Sequence, residues 1–84
     1  MNQLKLSNVD VTCRSCPLQF DALIVDRPVY FRYRNGSWYL CYIDRGEMIA
    51  QGGMIGEYDG SASFKEVRKT LKLHEVKLPR KEEW

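Results

Sequence analysis

Asn35-Gly36 stands between two runs of alternating side chains, "VYFRYR" and "SWYLCY". Both central positions of a type I′ turn need positive φ, and Asn-Gly supplies it most readily. Such a turn sets a register. Arg34 faces Ser37, Tyr33 faces Trp38, Phe31 faces Leu40 and Val29 faces Tyr42. One face of the hairpin is then apolar throughout, and the other carries Tyr30, Arg32, Arg34, Tyr39, Cys41 and Ile43.

The preceding "QFDALIVDRP" extends the pattern. With Asp26-Arg27 as a second two-residue turn, Ile24 faces Val29, Ala22 faces Phe31 and Phe20 faces Tyr33, all on the apolar face. On the other face Leu23 meets Tyr30 and Asp21 meets Arg32. A slip of one residue would flip every side chain, so two turns that agree on one face imply a three-stranded meander. "DRGEMIAQ" adds a fourth strand, with Met48 and Ala50 on the apolar face after a three-residue turn at Gly46. Gly52 and Gly53 break or bulge it, and "MIGEY" resumes it as a bent or separate strand. The N-terminal "LKLSNVDV" alternates in part and offers an edge strand.

"SFKEVRKTLKL" reads as the one helix. Ser63 and Glu66 form a capping box, and Phe64, Val67 and Leu71 make a narrow apolar stripe that must lie on something apolar. The meander's apolar face is the expected partner. His74, Val76 and Leu78 alternate as in a short final strand. The expected fold is therefore α+β, an antiparallel β-meander of four to six strands with one C-terminal helix packed on one sheet face. Residues 1–78 form a single domain, and 79–84 a short charged tail from which Trp84 could tuck back.

At 84 residues, 44% hydrophobic and 29% charged, the chain has the composition of a soluble globular domain. Its core is small and its margin thin, which keeps a homodimer in view. There is no apolar run of membrane-spanning length and no leader-like h-region over Met1–Ser7, so a cytoplasmic location is expected. Three cysteines, an odd count, argue against a disulfide framework. Residues 1–64 carry six basic and seven acidic groups, and residues 65–84 seven basic and four acidic. That makes the C-terminal part mildly basic; a solvated face is the plain reading of it.

Three candidate sites follow. "CRSC" places Cys13 and Cys16 at the spacing of a zinc half-site, which Cys41 and His74 would have to complete. Spare or buried thiols are the simpler account, because Cys41 sits mid-strand and the two halves lack paired spacing. A redox role would want a helix after Cys16, whereas Pro17 and a strand follow. The second candidate is the face bearing Tyr30, Arg32, Arg34 and Tyr39. It could stack bases as single-strand binders do, or anchor a protein partner, for which Tyr and Arg are favoured. An Asp21–Arg32 pair would satisfy Arg32 within the fold. The third is the helix face of Lys65, Arg68, Lys69 and Lys72, able to meet phosphates or an acidic protein. No nucleophile, base and orienting group stand together, and neither "GGMIG" nor "YDGSAS" is a P-loop, since the Lys-Ser/Thr end is missing. A non-catalytic chain is expected, with no cofactor unless zinc binds.

The segment "CPLQFDALIVDRPVYFRYRNGSWYL" resembles part of a group of small uncharacterised bacterial and phage proteins with a "CP-x-Q-F/W … RPVY-x-RYR-x-G" pattern. The resemblance covers about a third of the chain. It brings no activity or site residues, but implies a mobile-element origin, a bacterial cytoplasm as the setting, and action by binding host machinery. The first expectation is accordingly a protein-interaction module, a regulator or inhibitor of a host protein. The alternatives are a nucleic-acid-binding β domain using the Arg/Tyr face and basic helix, and a zinc-stabilised accessory domain.

Overall fold

The strand signals resolve into a sheet of six strands, seen in a computed structural model that describes residues 3–84. Met1 and Asn2, the start of the leader reading, lie outside the described residues. The elements run β1 (Leu4–Arg14), β2 (Leu18–Ile24), β3 (Arg27–Arg34), β4 (Ser37–Tyr42), β5 (Met48–Gly52), α1 (Phe64–Lys72) and β6 (Val76–Lys77). In space the order is β5-β4-β3-β2-β1-β6. The first five strands form the expected meander. The sheet as a whole is mixed, because β6 pairs parallel to β1, Leu4 beside Val76 and Lys5 beside Lys77. A purely antiparallel sheet is thus corrected. The physical reason is the route of the chain: α1 carries it across the core face from β5 at one edge to β1 at the other, and it arrives running with β1.

The Asn35-Gly36 turn is as the sequence implies, with φ of 55° and 74° and all four facing pairs in register. The β2–β3 turn is not. Ile24 pairs with Arg27, so Val25 and Asp26 are the central residues, and Ala22 faces Val29, Phe20 faces Phe31 and Leu18 faces Tyr33. This is a shift of two from the expected register. A two-residue shift preserves the face of every side chain, so the apolar face survives while each partner changes. Of the two central residues only Val25 has positive φ (60°), the pattern of a type II′ turn, where glycine is preferred. A β-branched residue there is strained by roughly 1–2 kcal/mol. Val25 is also 84% exposed and has little packing to lose. Val25→Gly should gain about 0.5–1 kcal/mol after the entropic penalty of glycine, seen as a rise in thermal midpoint of a few degrees.

The core lies between the sheet and α1. Leu18, Phe20, Val29, Phe31, Tyr33, Trp38 and Leu40 come from the sheet, and Phe64, Val67 and Leu71 from the helix. The capping box forms as the pattern requires: the Ser63 hydroxyl accepts from the Glu66 N–H at 3.2 Å, and Glu66 Oε1 accepts from the Ser63 N–H at 3.0 Å. Burying the three helical side chains is worth about 2 kcal/mol each, which is what holds so short a helix in place. Val76 and Leu78 are buried as well. Trp84 packs against Phe20 and edge-on to Phe64, after a 3₁₀ turn at Arg80–Glu82.

β5 departs from expectation in one respect. A bulge between its pairings to Leu40 and Cys41 sets Met48 opposite Cys41 on the outer face, and Ile49 packs toward the core instead. "MIGEY" forms no strand; it makes a tight turn around Gly56 (φ 68°) closed by one bridge between Ile55 and Tyr58. Among the described residues no helix is long and apolar enough to cross a membrane.

Candidate functional site

The sheet has an uncovered side. Its outer face is laid out in rows by the strand register. One row runs Ser7, Leu23, Pro28, with Ile43 beside it through the Ile43 N–H donating to the Pro28 carbonyl at 3.0 Å. The next runs Asp10, Asp21, Tyr30, Cys41, Met48. A third runs Cys13, Gln19, Arg32, Tyr39, Gln51, and Arg34 and Ser37 close the face at the Asn-Gly end. Leu23, Pro28, Ile43 and Met48 make an apolar flank towards one end of the strands, Asp10 and Asp21 lie at the β1–β2 side, and the cations Arg32 and Arg34 lie towards the Asn-Gly end.

Tyr30 is the fixed point of this face. Its hydroxyl donates to Gln19 Oε1 at 2.8 Å, and its ring lies 6.1 Å from that of Tyr39. Burial among these neighbours pushes the Tyr30 phenol above its ordinary pKa, so it stays protonated at neutral pH as a donor. Burial likewise raises the Cys41 thiol above its ordinary pKa, which disfavours its thiolate form. Arg32, Arg34, Asn35, Ser37 and Tyr39 line an open hollow of about 250 Å³.

The expected Asp21–Arg32 pair does not form. The two-residue register shift sets Asp21 opposite Tyr30, and leaves Arg32 between Gln19 and Tyr39. Among the described residues the ion pairs all belong to Arg27, which reaches Asp44 at 3.1 Å and Glu47 at 2.9 Å. Its guanidinium also lies 3.8 Å over the Tyr42 ring. This cluster ties the start of β3 to the β4–β5 loop. The Arg27 hydrogen bond is the main reason that Asp44 ionises below its ordinary carboxylate pKa.

The structure does not bring the two sets of candidate binding residues together. Tyr30, Arg32, Arg34 and Tyr39 lie on the outer face, while Lys65, Arg68, Lys69 and Lys72 belong to the helix that covers the other. A single surface that uses both is excluded. The zinc set is overturned as well. Cys13 and Cys41 share the outer face but sit three strands apart, roughly 14 Å at the usual strand spacing. Cys16 lies in the β1–β2 loop, its N–H donating to the Gly60 carbonyl at 2.8 Å, and His74 stands edge-on to Trp38 on the helix side. Among the described residues no three His, Cys, Asp or Glu groups gather closely enough to hold a metal.

Sequence reasoning passed over Gln19, Pro28 and Met48 as members of this surface. Gln19 and Pro28 follow from the alternation of β2 and β3 in either register; Met48 depends on a bulge for which "EMIAQ" carries no signal. Ile49 packs against the core, and Met48 takes the exposed position on this face. In comparison with known proteins, no family model, curated protein or solved structure matches this chain.

Proposed function

We propose that the chain is a small non-catalytic interaction module that binds a protein partner through the outer face of its sheet, in the manner of mobile-element products that regulate or inhibit host proteins. The observation that carries this reading is the state of Arg32. It is half-buried between Tyr39 and Gln19, with no carboxylate opposite it. Arginine and tyrosine in such a setting are the side chains from which interface hot spots are built. Leu23, Pro28, Ile43 and Met48 add an apolar flank further along the same face, Pro28 four residues from Arg32 on β3, with Ile43 and Met48 each 53% exposed. A partner that fits would offer a carboxylate to Arg32 and Arg34 and an apolar side chain to the Pro28–Ile43 row.

The triple variant Tyr30→Ala, Arg32→Ala, Tyr39→Ala should keep its circular dichroism spectrum and lose partner binding by at least 100-fold in calorimetry with the purified partner. These positions lie outside the core, so the loss would not be one of folding. Retention of affinity by the folded triple variant would remove the reading. If the folded triple variant keeps its affinity and binding is lost when only Ile43 and Met48 are changed to Ser, the apolar flank alone carries it. Nucleic acid on the same face remains the second reading, supported by the Tyr30–Tyr39 pair beside Arg32 and Arg34. It would show as quenching of tyrosine fluorescence by oligonucleotides, abolished in the same triple variant.

A further inference from the structure

The C-terminal basic residues lie on the side of the molecule away from the outer face, and there they line concave surface. Arg68 stands between two clefts. One, of about 270 Å³, has Lys72 and Lys77 in its wall with Arg68, and the other, of about 310 Å³, has Lys65 and Arg80 with Arg68. The guanidinium is half-buried and anchored, its Nε donating to the Leu78 carbonyl at 3.1 Å. Its terminal nitrogens have no hydrogen-bond or ion-pair partner among the described residues. None of the other four cations forms an ion pair there either.

None of the four carboxylates of the same segment forms an ion pair with them among the described residues. Glu66 accepts from the Ser63 N–H in the capping box, Glu82 accepts from the Val9 N–H at 3.0 Å, and Glu75 is exposed in the turn after α1. Glu83 is the acidic residue that lines the second cleft. A solvated basic face needs neither an anchored arginine nor concavity. An anion site benefits from both, since an arginine held by one nitrogen presents a pre-oriented fork to a phosphate.

We propose that these two clefts form one phosphate track, with Arg68 at its centre, for the backbone of a nucleic acid. A membrane surface fits less well, because a helix that binds lipid lays its apolar stripe into the bilayer. Here Phe64, Val67 and Leu71 are buried in the core. The track touches phosphates and no base edges, so it reads no sequence. The site is separate from the outer face, and either surface can fail without the other.

The test is fluorescence anisotropy of the full chain with labelled 16-nucleotide single strands and duplexes of two unrelated sequences, from 50 to 300 mM salt. The expected result is equal affinity for both sequences and a slope of log K against log salt of roughly −2.8 to −3.5 for single strands and −3.6 to −4.5 for duplexes, as four or five neutralised phosphates give. Arg68→Ala should weaken binding at least tenfold and flatten the slope by about one. Lys72→Ala with Lys77→Ala, which removes no internal hydrogen bond, should weaken binding comparably by charge alone and flatten the slope by about two. The outer-face triple variant should bind as the parent does. Absence of binding at 50 mM salt overturns the proposal, as do unchanged affinities in both cleft variants. Tighter binding to vesicles rich in anionic lipid than to either oligonucleotide overturns the nucleic-acid assignment.

Discussion

Phe31→Ala should remove roughly half or more of the chain's folding stability. Phe31 is fully buried on β3, stacked on Phe20 at 4.7 Å between centroids and on Trp38 at 5.8 Å. It is the middle ring of three, so its removal strips a face from each neighbour. Loss of a buried phenylalanine costs about 3–5 kcal/mol. A domain of this size has roughly 4–12 kcal/mol in total, with the lower half expected for so small a core. Urea titration followed by tryptophan fluorescence is the measurement, since Trp38 reports the same stack. Phe31→Leu, which keeps most of the volume, should lose less than half as much. A midpoint for Phe31→Ala within the error of the parent would mean that the three rings do not form one packed unit.

The face assignment that makes Phe31 central was legible in the sequence, and the way it was legible is instructive. Alternation places Phe20, Phe31, Tyr33, Trp38 and Leu40 on one side whichever two-residue turn joins β2 to β3. Hydrophobic patterning is therefore blind to slips of two. Only turn chemistry can resolve them, and at this turn the chemistry misleads: Val25 takes the positive φ that a glycine or asparagine would normally mark. The cost of that blindness falls on the outer face, where partners matter individually. Asp21 and Arg32 look like a pair in one register and are separated in the other.

The helix was legible for a different reason, because the capping box and stripe are local. The parallel β6 was not. Two residues of alternation carry no direction, and direction comes from how α1 crosses the sheet, a property of the whole fold. The candidate surfaces follow the same division. Which side chains leave the sheet outward could be read directly. That the basic helix lies on the opposite side from Tyr30 and Arg32, and that Arg68 is anchored to Leu78, required the packed chain. The two candidate faces, separate in the sequence reading, thus lie on opposite sides of the molecule, one amphipathic and the other bearing a pair of clefts lined by cations.

Tyr33→Phe should cost about 3 kcal/mol, although it deletes a single oxygen. Tyr33 is fully buried, and its hydroxyl is the anchor of the 53–60 loop. It accepts from the Ile55 N–H at 2.9 Å, lies 3.1 Å from the Ile55 carbonyl oxygen, and donates to the Tyr58 carbonyl. Removing it orphans a buried donor and at least one acceptor, each costing about 1–3 kcal/mol when left unpaired. The penalty divides between the global and the local. If the loop stays docked, the thermal midpoint falls by roughly 12–24 °C, at 4–8 °C per kcal/mol for a domain this size. If the loop lets go instead, the midpoint falls less and the Ile55 amide loses its protection from hydrogen exchange. The second outcome has a further consequence, because the loop also supports its neighbours. Gly60 accepts from the Cys16 N–H, and Asp59 from the Gly36 N–H at 2.7 Å. A released loop would therefore loosen the "CRSC" hairpin end and the Asn-Gly turn together, and exchange should rise at Cys16 and Gly36 in step with Ile55. Parent-like stability together with parent-like exchange at all three amides would show that the Tyr33 hydroxyl holds nothing in place.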